Sequence, residues 1–259
     1  MSLSSDPFDE PQVRLGMAYA ASGSRAEALA AYYRALIENP DSVAAHFLLG
    51  VAACEDAEWE EAFRHFVAAI DRAPAMAEPY NNLGVVYFHQ QDLSSARTCW
   101  ERAVGVRARY PEAVANLGIF YLVSGRATEA RTCFERAVAL APRSASAYNN
   151  LGVALFRAGQ FDDATACFER SISLDAQLAA PLRNLAHIYQ CKGQDSEAQS
   201  CHNRAALVVR RAAYRIDPYR IDPFDVLLPV SERIGAVPED DAYEPDEEVV
   251  VYDLDEDEL

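Results

Sequence analysis

The chain of 259 residues contains no run of about 18 or more apolar residues, so no membrane-spanning helix is expected. It has no CxxC pair, and its five His residues show no zinc-ligand spacing, so neither a metal nor a cofactor is expected. No nucleophile–base constellation, phosphate loop or inward carboxylate pair is present, and His65, His89, His187 and His202 are too scattered to form one. No catalytic residue is therefore assigned, and an enzyme is not expected. Basic residues are scarce: 23 Lys and Arg stand against 40 Asp and Glu, for a net charge of −17. That balance argues against nucleic acid, whose phosphates need cations. Residues 239–259 hold twelve acids and no Lys or Arg, which leaves only −5 for residues 1–238. Such a tail cannot bury enough apolar surface to fold and is expected to be disordered. Residues 1–8 are polar and lack the basic and apolar regions of a signal peptide, so the expected location is cytoplasmic.

What the chain does have is one pattern repeated at a period of 34 residues. Leu-Gly recurs at Leu15-Gly16, Leu49-Gly50, Leu83-Gly84, Leu117-Gly118 and Leu151-Gly152, with Leu185-Ala186 as the sixth. An Ala follows each Leu at thirteen residues: Ala28, Ala62, Ala96, Ala130, Ala164 and Ala198. Four further on stand Tyr32, Phe66, Trp100, Phe134, Phe168 and His202, and three beyond these a small residue, from Ala35 to Ala205. Apolar residues within each copy fall at helical spacing, as in Leu83, Val86 and Tyr87 and then Ala96, Trp100 and Ala103. Gly and small Ala let two helices approach closely, and the ring fills the wedge beside them. Turn residues separate the two halves at Ser22-Gly23, Ser124-Gly125, Ala158-Gly159 and Lys192-Gly193. Pro40, Pro74 and Pro142 end second helices. In the third copy the Pro is displaced to Pro111, which predicts an extra helical turn over Val106 to Tyr110. One hairpin cannot bury its apolar face alone, so the copies must stack.

These residues resemble the tetratricopeptide repeat family, whose unit is a 34-residue helix-turn-helix with the same Leu-Gly, small-residue, aromatic and Pro positions. The resemblance implies an all-α, right-handed superhelical solenoid of six repeats: 9–42, 43–76, 77–110, 111–144, 145–178 and 179–212. It covers about four-fifths of the chain. A helical extension over Ala205 to Tyr214 reads as a cap on the last repeat. Residues 213–238 hold its end and a tandem Tyr-Arg-Ile-Asp-Pro, suited to packing back on that repeat or to docking another protein. Cys99, Cys133, Cys167 and Cys201 share position twenty-three, one repeat apart, at about 10 Å from helix-packing distances. Disulfides need Cα atoms within about 7 Å, so these are small packing residues.

In the family the first helix of each repeat lines a concave side where ligands lie. Position six of that helix is Asn82, Asn116, Asn150 and Asn184 in repeats three to six, with Asn81 and Asn149 beside two of them. Two uses are open to these amides. One is a ladder that pairs with the backbone of an extended peptide, since an amide offers both donors and an acceptor. That arrangement is similar to the asparagine ladder of the O-linked N-acetylglucosamine transferases, without their catalytic part. The other is bonding between neighbouring helices. Beside the Asn row runs an apolar strip in which Phe88 and Phe156 are the candidate aromatic anchors. No Lys stands at the phases with which chaperone-binding members hold a terminal carboxylate. Glu10, Glu78 and Glu112 at position two favour a neutral or basic segment instead. His89 and Arg157 read as rim residues. The expected function is a non-catalytic adaptor or scaffold that binds a protein or peptide partner. The alternative is a co-chaperone or assembly chaperone for basic or aggregation-prone clients that uses the acidic tail. The final segment, with Val250, Tyr252 and Leu254, is a candidate competitor for the groove. End repeats can pair between copies, so a homodimer is compatible with the architecture.

Overall fold

A computed structural model describes residues 7–214. The tail 239–259, the tandem motif and the first six residues lie outside the described residues. The described residues form two compact units, 7–109 and 110–214. Among them the regular elements are one 3-10 turn and twelve α-helices.

The first unit opens with the 3-10 turn Pro7–Asp9. Three hairpins follow: α1 (Pro11–Ala21) with α2 (Arg25–Glu38), α3 (Val43–Glu55) with α4 (Trp59–Arg72), and α5 (Ala77–His89) with α6 (Leu93–Val106). The second unit pairs α7 (Pro111–Val123) with α8 (Ala127–Leu140), α9 (Ala145–Arg157) with α10 (Phe161–Leu174), and α11 (Ala180–Cys191) with α12 (Asp195–Tyr214). Inside each unit the second helix of a hairpin also packs against the first helix of the next. The 34-residue period thus appears as hairpins stacked in sequence order.

Each hairpin closes at its Leu-Gly pair. A Cβ on Gly50 or Gly152 would stand 2.6 Å from the ring of Phe66 or Phe168, well inside van der Waals contact. Gly16 faces Tyr32, Gly84 faces Trp100 and Gly118 faces Phe134 in the same way. The ring therefore lies against bare backbone, which only Gly allows. Trp100 adds a hydrogen bond from Nε1 to the Asn81 carbonyl at 3.0 Å. The sixth repeat carries Ala186 at this position. Its ring residue, His202, is half-buried and turns to Gln190 at 3.3 Å. Ser171 replaces the usual Ala of the fifth repeat and donates its hydroxyl to the Ala145 carbonyl at 2.8 Å, so the buried oxygen is satisfied.

The turn inside every hairpin is the same Schellman motif. The amides of Ser24, Glu58, Asp92, Arg126, Gln160 and Gln194 each bond back to a carbonyl five residues earlier, from Tyr19 to Tyr189, at 2.8–2.9 Å. The motif needs one left-handed residue, supplied by Gly125 and Gly159 at φ 72° and by Gly193 at 69°. Repeats two and three use Ala57 at φ 54° and Gln91 at 63° instead. A side chain there opposes the turn by about 1 kcal/mol, which the rest of the hairpin outweighs.

Second helices stop two residues before Pro40, Pro74 and Pro142, as the sequence implies. The expected extra turn over Val106 to Tyr110 is not formed: α6 ends at Val106 and Arg107 to Tyr110 is irregular. Pro111 is the first residue of α7 and disfavours helical geometry for Tyr110, whose side chain is buried. The backbone of α12 runs unbroken over 20 residues to Tyr214, so the expected extension is helical.

Trp100→Ala removes the largest fully buried side chain and is expected to destabilise by about 3–5 kcal/mol. Gly84→Ala drives a methyl into the same indole and is expected to lose about 1–3 kcal/mol. Urea denaturation followed by circular dichroism measures both.

Candidate binding surface

In the first unit the expected binding residues are largely consumed by packing. Glu78 is buried and forms an ion pair with Arg107, just beyond α6. Its charge is neutralised within the protein, which corrects the expectation that it selects the charge of a partner. Asn81 and Asn82 are both buried, and Asn81 Nδ2 donates to Asn82 Oδ1 at 3.1 Å. Asn82 Nδ2 is sealed from solvent and finds no acceptor among the described residues. Phe88 is 4% exposed and packs on Trp100 with ring centroids 5.9 Å apart. It is a core side chain rather than a surface anchor, because its position on α5 points at the ring that closes the hairpin. Next to it His89 stacks on Trp59 of α4 at 4.0 Å and 12°, so this rim residue ties two repeats together. Burial lowers the His89 pKa.

The second unit distributes its residues differently. Asn116, Asn149 and Asn184 are buried, whereas Asn150 is only half-buried. Asn184 Nδ2 on α11 donates to Asn149 Oδ1 on α9 at 3.0 Å, and Asn149 Nδ2 lies 3.4 Å from Asn150 Oδ1. This pair therefore takes the second of the two uses, bonding between neighbouring helices. The reason is geometric: positions five and six of successive first helices meet where the repeats stack. Phe156 is half-buried and contacts Phe161 and His187 at centroid separations of 5.3 and 5.2 Å. Arg157 is exposed beside it and reaches the Leu122 carbonyl at 3.5 Å, with its pKa lowered by desolvation. Glu112 is half-buried at the start of α7. Asn150, Phe156, Arg157 and His187 thus form the accessible part of the expected strip in this unit.

Five of the six cysteines behave as packing residues, and Cys191 is exposed. Cys99, Cys133 and Cys167 are half-buried, Cys54 and Cys201 buried, and all are free thiols. Burial pushes the Cys54 thiol up to about 12 and Cys99 to about 11, which disfavours thiolate chemistry. Among the described residues no group of three or more His, Cys, Asp or Glu is placed to hold a metal, and no helix is long and apolar enough to cross a membrane. One contact was missed in the sequence: His46 meets His65 across α3 and α4. Comparing positions four and twenty-three between repeats would have found it, since only repeat two has His at either.

Helical hairpins of one length, stacked in order within each unit, define a helical-repeat protein. Three family models, each described as a tetratricopeptide repeat, match residues 13–77, 80–110 and 112–177. The chain belongs to the tetratricopeptide repeat family. No curated protein sequence matches it. Among solved structures it is similar to a chain in the APC/C hetero-tetramer Cut9–Hcn1, with a TM-score of 0.71 at 16% identity over 77% of this chain and 39% of that one. This chain therefore spans about two-fifths of that relative. It is also similar to pilF of Pseudomonas aeruginosa (TM-score 0.64, 21% identity, 79% of this chain and 91% of that one). A third likeness is to YrrB, a TPR protein with an unusual peptide-binding site (0.51, 20%, 71% and 97%). At these identities the likeness shows the fold.

Asn149→Ala strands the buried Asn184 amide and is expected to destabilise by about 1–3 kcal/mol. Asn150→Ala, at a half-open position, gives up only the long 3.4 Å contact to Asn149 Nδ2 and should cost less, under about 1 kcal/mol. Melting temperatures of the two variants separate the helix-bridging amide from the accessible one.

Proposed function

We propose that this chain is a non-catalytic adaptor or scaffold that holds an extended segment of a partner protein along the first helices of its later repeats. Membership of a family of interaction modules supports the general role. The observation that carries the specific reading is the contrast between the two units. Glu78, Asn82 and Phe88 are buried in the first, whereas Asn150, Phe156 and His187 keep accessible surface in the second. An accessible amide beside half-open aromatic rings suits a peptide backbone and an apolar side chain, respectively. The likeness to YrrB, a TPR protein with an unusual peptide-binding site, is in keeping with this class of ligand. The twelve acids of residues 239–259 favour a second reading, an assembly chaperone that shields basic clients in the cytoplasm.

The test is affinity capture from native extract with the full chain and with an Asn150→Ala/Phe156→Ala variant whose melting temperature is first shown to be close to the parent's. Loss of one defined partner, reproduced with that purified partner as at least a tenfold weaker Kd, supports the adaptor reading. Retention of all partners by the variant rejects this strip. Capture of many basic proteins by both baits supports the chaperone reading.

A further inference from the structure

Repeat two differs from the others at two positions that meet. Position four is His46, where repeats three and five have Tyr80 and Tyr148. Position twenty-three is His65, where repeats three to six have Cys99, Cys133, Cys167 and Cys201. The two Nδ1 atoms lie 3.0 Å apart and the ring centroids 5.3 Å apart. The outer nitrogens lie near oxygen atoms. His46 Nε2 is 3.2 Å from the Pro40 carbonyl, and His65 Nε2 is 3.1 Å from Glu61 Oε1. His65 is 8% exposed and His46 is half-buried.

Counting protons restricts the state of this chain of contacts. The Pro40 carbonyl only accepts, so the outer nitrogen of His46 carries a proton. His65 Nε2 makes no hydrogen bond among the described residues. One proton is needed between the two Nδ1 atoms. A neutral pair supplies it when His65 carries its proton on Nδ1. Two imidazolium ions set N–H against N–H at the inner contact and lose it.

Burial opposes a positive charge on either ring and outweighs Glu61 on α4 and Asp41, in the link before α3, which favour it. Arg64 and Arg72 on α4 also oppose it, and Arg72 is itself held by Asp41 at 2.8 Å. Burial lowers the pKa of both rings, and for His65 the neighbouring His46 charge adds to it. A site with two interacting rings titrates in two separated steps.

We propose that His46 and His65 share one proton, and that uptake of a second breaks the pair and frees the Pro40–Asp41 link between the first two repeats, making that end of the array acid-labile. The sign follows from linkage. The second proton binds the folded pair less readily than the unfolded chain. The stabilisation is therefore present above the ordinary histidine value of 6.5 and is lost as pH falls below it.

The test uses the full chain, with ring-nitrogen NMR and amide hydrogen exchange of α3 and α4 followed from about pH 8 to about pH 5, a range that brackets the ordinary histidine pKa. One shared proton on the Nδ1 pair near neutrality is expected, followed by local opening that grows up to about tenfold per pH unit on acidification. His65→Cys and His46→Tyr/His65→Cys install the residues that other repeats carry at these positions, and both should flatten that slope. Equal slopes in the parent and both variants would overturn the proposal. Two rings that titrate independently would also overturn it. So would zinc binding at the Nδ1 pair with proton release, which would assign these nitrogens to a metal.

Discussion

Everything in this fold rests on a ring lying against bare backbone. In five of six repeats the position after the conserved Leu is Gly, and the ring of the second helix occupies the space a Cβ would need. That contact fixes the separation of the two helices. The separation in turn permits the short Schellman turn that joins them, repeated at all six positions. The sixth repeat shows the dependence from the other side. With Ala186 at the Gly position, the ring residue is the smaller, polar His202, which turns away to Gln190. Small residue and ring therefore change together within one chain, as a steric contact requires.

Stacking and recognition draw on the same helix positions. A first-helix residue at position five or six is close both to the next repeat and to the open strip. Where the next repeat takes it, as Asn149 and Asn184 take each other, its hydrogen-bonding capacity is spent inside the fold. Where a charge is taken, as Glu78 is by Arg107, it no longer advertises for a partner. Asn150 keeps accessible surface on the same helix as Asn149, so one residue of offset decides between the two fates. An unpaired buried amide is unfavourable, which is why Asn149 and Asn184 are drawn into a contact between helices.

Repeat two carries a polar pair where repeats three to six place a Tyr or apolar residue against Cys. Two imidazoles at 3.0 Å, one of them anchored by the Pro40 carbonyl, keep their contact while a single proton lies between them. A repeat array is suited to such local variation, because each hairpin contacts only its neighbours and an exchange in one unit need not disturb the rest.

The sequence by itself determined the repeat length, the hairpins, their turns and their order, because the contacts that create them recur at fixed spacing and lie within 34 residues of each other. It also placed Trp100 and its equivalents in the core, since a large ring at constant phase to a Gly has one steric role. It did not determine which concave residues stay open. Phe88 and Phe156 share a position in their repeats, yet one is closed in the core and the other is half-open. Nor could spacing foresee that Tyr110 is buried outside any helix. Only the tertiary structure decided these matters, because burial and pairing depend on what the neighbouring helices bring to the same place, and that varies from repeat to repeat while the period does not.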